Sequence, residues 1–126
     1  MAAVPAQSPG VDTLFPRQPD GYVTDRAGVV DQAASARMTS LIERLRATTG
    51  AEIAVVTLPT IGQEDETEVA LAIGRAWGVG PNAPVGSPRR NAGIVLLLVP
   101  LQNHEPGTGH IRIEVGQGLE GVITDA

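Results

Sequence analysis

Ile53-Ala-Val-Val-Thr-Leu58 and Ile94-Val-Leu-Leu-Leu-Val99 are the two stretches that decide the fold. Each is a short apolar run with almost no polar interruption, the pattern of a strand buried on both faces. Pro59 ends the first run. Between the two, Asp65 to Trp77 places Val69, Ala70, Ile73 and Trp77 on one helical stripe. Asp65, Glu66 and Glu68 fall in its first turn, where the positive end of the helix dipole favours carboxylates. Gly78 and Gly80 close it. A strand, a helix and a second buried strand make a βαβ unit, so the two strands should run parallel with a right-handed crossover.

Working outward, Asp31 is placed to cap a helix that runs to about Thr48. Ala34, Met38, Leu41, Ile42 and Leu45 follow helical spacing along it, and Gly50 supplies the stop. Asp25-Arg-Ala-Gly-Val-Val30 reads as an extended segment with a turn. On the other side, Gly78 to Arg90 is a Gly/Pro/Asn-rich loop, and 102–109 is a polar loop of hairpin type. His110 to Val115 alternates Ile111, Ile113 and Val115 with Arg112 and Glu114, giving a strand with one wetter face, antiparallel to its predecessor. Gly116-Gln-Gly118 is a turn, and Leu119 to Ala126 opens a third helix that reads as truncated. The expected class is α/β: a small mixed, partly parallel sheet of three strands, flanked by helices on both faces as an αβα sandwich. Residues 1–20, with Pro5, Pro9, Pro16 and Pro19 and no apolar periodicity, read as a flexible lead to a domain over 21–126.

Composition narrows the chemistry. The chain has 126 residues, no cysteine and a net charge of −5. Disulfides, zinc–thiolate sites and cysteine nucleophiles are excluded. All nine basic residues are arginines, so lysine nucleophiles and a Walker-type lysine are excluded as well. The acidic balance disfavours nucleic acid as a partner. The longest apolar run has the six residues of Ile94 to Val99, far short of the roughly 18 needed to cross a bilayer. With only Phe15, Tyr22 and Trp77 as aromatics, the core must be aliphatic.

Four blocks carry a family resemblance: Tyr22-Val-Thr-Asp25-Arg-Ala-Gly28-Val-Val30; Thr49-Gly50-Ala-Glu-Ile-Ala-Val-Val-Thr57; Trp77-Gly78-Val-Gly80 with Asn91-Ala-Gly93-Ile-Val-Leu-Leu-Leu-Val99; and Ile111-Arg-Ile-Glu-Val-Gly116-Gln-Gly118-Leu-Glu120-Gly-Val-Ile-Thr-Asp125. In this order and spacing they resemble the TPM-domain family, the thylakoid acid-phosphatase-like domain of plants and many bacteria. The chain departs from the family at Asn91-Ala92-Gly93, where an Asp-Asn-Gly is usual, and it lacks the further helices that usually follow Asp125. The resemblance implies a sheet flanked by helices, an extracytoplasmic setting with a membrane tether in the full-length protein, and protein partners. It also implies divalent-cation binding in some members and acid phosphatase activity in the plant branch.

Asp25, Asn91, Glu120 and Asp125 form the leading candidate metal site. Carboxylate and amide oxygens suit Ca²⁺, with Mg²⁺ as the alternative, and crevices at strand ends are where open α/β sheets bind ligands. The other reading makes Asp25 and Asp125 caps of a turn or helix and Glu120 a solvated carboxylate. Glu64-Asp65-Glu66-x-Glu68 reads as a helix start dressed for its dipole, and His104 and His110 as solvated loop residues. Gly116-x-Gly118 reads as a tight turn. Two functions follow: a Ca²⁺-binding extracytoplasmic interaction module of a membrane-associated protein, or a metal-dependent acid phosphatase hydrolysing phosphomonoesters. In the second, Arg89, Arg90 or Arg112 would hold the phosphate.

Overall fold

A computed structural model describes residues 10–79, 93–101 and 108–115. The chain order is β1 (Val23–Asp25), α1 (Gln32–Thr49), β2 (Glu52–Thr57), α2 (Glu66–Trp77), β3 (Gly93–Val99) and β4 (His110–Val115), preceded by a 3-10 turn, Val11–Thr13. The four strands form one sheet in the order β1-β2-β3-β4. β1, β2 and β3 run parallel, and β4 is antiparallel to β3. The parallel pairing of β2 with β3 across α2 and the mixed sheet are therefore as the sequence predicts.

The helix boundaries follow their local chemistry. Asp31 caps α1, its carboxylate accepting the Ala34 N–H at 2.7 Å. Gly50 ends α1 in the left-handed region at φ 79°, its N–H donating to the Arg46 carbonyl. Gly78 ends α2 in the same way at φ 62°. An L side chain at either position would meet its own backbone, which is why glycine holds both.

Two expectations need correction. The sheet has four strands, because Val23–Asp25 pairs with Val55–Thr57. Three residues are too few to show a period, so the sequence gives no strand signal there. The lead is also not wholly an arm. Residues 10–20 fold against α2, and Phe15 is buried in the core. Its ring meets Trp77 edge-on at 6.1 Å, and the Trp77 Nε1–H donates to the Pro16 carbonyl at 2.9 Å. One aromatic side chain seated in an apolar site outweighs the proline-rich composition around it.

Strand alternation sorts the core by face. Val56, Val95, Leu97 and Val99 join Val69, Ala70, Ile73, Leu58, Ile61 and Phe15 in one cluster beneath α2. Asp25, Val55 and Thr57 alternate onto the second face, where the chain turns into α1. α1 lies along β1 and β2, burying Ile42 outside the α2 cluster. The wetter face of β4 is the inner one: His110, Arg112 and Glu114 are half-buried on the α2 side, while Ile111 and Ile113 are exposed on the second face.

Candidate functional site

The carboxyl ends of β1 and β2 hold a polar cluster built on Asp25. Register places Asp25 beside Thr57, at the last position of each strand. The Thr57 hydroxyl donates to Asp25 Oδ1 at 2.5 Å. The Val29 N–H donates to the same oxygen at 3.0 Å, and the Val30 N–H to Oδ2 at 2.9 Å. Thr57 Oγ1 in turn accepts the Ala27 N–H at 3.0 Å. Asp25 thus folds the turn that follows β1 over its own carboxylate, while the fully buried Thr57 ties that turn to β2. Burial pushes the Asp25 carboxyl up. The donors Thr57, Val30, Val29 and Gly28 outweigh it, and the group sits below the ordinary carboxylate range.

What this carboxylate offers a cation is limited. Oδ1 already accepts from Thr57 and Val29 and Oδ2 from Val30, with the Gly28 N–H a further donor to the group, so Asp25 can give a cation at most one monodentate bond. Among the described residues no three His, Asp or Glu side chains gather as a metal site. Asn91, Glu120 and Asp125 lie outside the described residues. The strands from which those segments extend are placed. Gly93 pairs with Glu52 and Val115 with Ile94, so both stand at the amino edge of the parallel strands. Asp25 stands at the carboxyl edge, five strand residues or about 16 Å away along the sheet. A single ion bound by all four requires chain leaving Gly93 or Val115 to return toward that edge. By itself Asp25 fits the turn-cap reading fully and a first coordination shell only in part.

The remaining candidates divide. Glu66 of the acidic run meets His110, with Nδ1 3.1 Å from Oε2, and links the start of α2 to β4. His110 is therefore a half-buried paired residue and not a solvated one. No sequence spacing signals this contact, because it joins elements 44 positions apart. Arg112 grips Glu114 of its own strand at 2.9 and 3.1 Å, which occupies its guanidinium with a carboxylate. His104, Arg89, Arg90 and Gly116 to Gly118 lie outside the described residues. Sequence reasoning passed over a cleft of about 390 Å³ at the amino ends of β1 and β2, walled by Tyr22, Ile53, Ala54, Trp77 and Val79 with Asp20 and Glu52 at its rim. Asp20 pairs with Arg26 at 2.9 Å, and Glu52 lies 3.5 Å from Arg46.

An α/β domain with a mixed four-stranded sheet and an anionic turn at its carboxyl edge is the class these features define. The TPM domain matches residues 23–126, and the chain belongs to that family. The solution structure of the N-terminal domain of a protein from P. gingivalis is similar, with 36% identity and a TM-score of 0.62. The match covers 79% of this chain and 56% of that one, so the chain spans little more than half the length of that structure. No curated protein matches the chain.

Proposed function

We propose that the chain is a Ca²⁺-binding, extracytoplasmic TPM-type module that engages protein partners within a membrane-associated protein. Asp25 carries the reading, since its carboxylate stays ionised at a strand end where an open α/β sheet offers a crevice. The net charge of −5 is in keeping with a cation ligand and disfavours nucleic acid. Asp25 has a structural duty of its own, so in this proposal the deciding cation oxygens are those of Glu120 and Asp125, with Asp25 adding at most one bond; Asn91 is only two residues from Gly93, which stands at the opposite edge of the sheet from Asp25. When bound, Ca²⁺ would neutralise this acidic set and cross-link its segments. Of the arginines weighed as phosphate ligands, Arg112 is engaged by Glu114, which weighs against the phosphatase reading.

Thermal unfolding with chelator, Ca²⁺ or Mg²⁺ tests the proposal. A cation that binds only the folded state at about 100 times its Kd adds about 2.7 kcal/mol and raises the midpoint. The wild-type chain should show a saturable Ca²⁺ shift that Asp125→Asn abolishes. An identical midpoint in all three conditions would remove the cation site from the proposal. Chelator-sensitive hydrolysis of p-nitrophenyl phosphate, lost in Asp125→Asn, would replace the module with the phosphatase.

A further inference from the structure

We propose that β4 is a self-association edge. Two copies of the chain pair β4 against β4, antiparallel and centred on Ile113, and join two four-stranded sheets into one. Among the described residues β4 has β3 on one side and no strand on the other. It is six residues long, and Ile111 and Ile113 are 69% and 45% exposed. They continue the half-buried Leu96 and Leu98 of β3, with which they are in register, so the second face of the sheet ends in an open apolar strip. A long edge strand beside exposed isoleucines is a template for another strand.

The charges on the other face of β4 choose the occupant and the register. Residues opposite each other in an antiparallel ladder share a face. A twofold axis normal to the sheet must therefore centre on one residue. Centred on Arg112 it opposes two arginines, and centred on Glu114 it opposes two glutamates. Centred on Ile111 it sets Arg112 against His110. Centred on Ile113 it sets Arg112 against Glu114 twice, Ile111 against Val115 twice, and Ile113 against itself. The intrastrand Arg112–Glu114 pairs, at 2.9 Å, then join into one square of alternating charge. Inward charge on an edge strand ordinarily discourages pairing. Here it discourages the registers centred on Arg112 and Glu114, and a second copy supplies the complement in the one centred on Ile113. The isologous geometry closes at two copies. A ladder this short buries less than the roughly 1,600 Å² of a standard interface, so the dimer should be weak, with a dissociation constant in the micromolar range.

Sedimentation of the full chain from micromolar to near-millimolar concentration tests this. The expected result is a monomer–dimer equilibrium without higher species. Arg112→Glu or Glu114→Arg alone places like charges opposite each other twice and should weaken the dimer at least about tenfold. Arg112→Glu with Glu114→Arg restores opposite charges in the same register and should recover it. Ile113→Thr, at an exposed position, should weaken the dimer with the fold intact by circular dichroism. A wild-type chain that stays monomeric throughout overturns the proposal. A folded double variant that remains as weak as the single ones overturns it too.

Discussion

Asp25 and Thr57 act as one device at the end of the parallel strands. The hydroxyl donates to the carboxylate and accepts the Ala27 N–H, so it occupies both of its capacities inside the fold. Thr57→Val leaves the Ala27 N–H without its acceptor and should cost about 1–3 kcal/mol in urea denaturation. The pH dependence has a defined sign. The Asp25 carboxyl is held below its ordinary value, so on acidification the unfolded chain takes up the proton first. Its contribution is complete well above the unfolded pKa of about 3.9 and is lost as pH falls through the lower folded value. Asp25→Asn removes that contribution. The stability gap between wild type and Asp25→Asn should be widest near neutral pH and should close in acid. A gap that stayed constant down to about pH 3 would show that ionisation of Asp25 does not stabilise the fold.

Elements with strong local signals were legible in the sequence. The β2 and β3 runs, the Asp31 cap and the stripe from Val69 to Trp77 need only neighbouring residues to be read, and each stands within a residue or two of its expected place. β1 shares only Asp25 with the segment that reads as extended from sequence, 25–30, because its strand character comes from pairing with β2. The inverted face of β4 was hidden for a related reason. Alternation shows that a strand has two faces, but which face is covered depends on where α2 comes to rest, and α2 lies over His110, Arg112 and Glu114. Of the candidate site, Asp25 was legible as a residue of interest, while its web of donors depends on Thr57, 32 positions away. At this scale the glycine stop is the sharpest test. Gly50→Ala forces an L residue into the left-handed region and should cost about 1–2 kcal/mol. Asp31→Ala, which removes only a cap, should cost about 1 kcal/mol. Paired chemical denaturation curves would rank the two.

For the whole molecule, α2 and what surrounds it dominate stability. Ile73 and Leu97 are fully buried in the one cluster that spans α2, β2, β3 and the lead. Leu97→Ala should cost about 2–5 kcal/mol. Phe15→Ala, in a segment whose composition suggests an arm, should cost about 3–5 kcal/mol and lower the melting temperature accordingly. A change below about 0.5 kcal/mol would mean that the lead does not contribute to the core. The contact that seats the lead also makes it observable. Trp77 is the sole indole of the chain, and it spans the junction between the lead and the domain, edge-on to Phe15 and hydrogen-bonded to Pro16. Its fluorescence therefore reports on that junction with no other tryptophan to obscure it. Release of the lead would move its emission to the red while the far-ultraviolet signal of the helices persisted, so the protein carries its own optical gauge of whether residues 10–20 are docked.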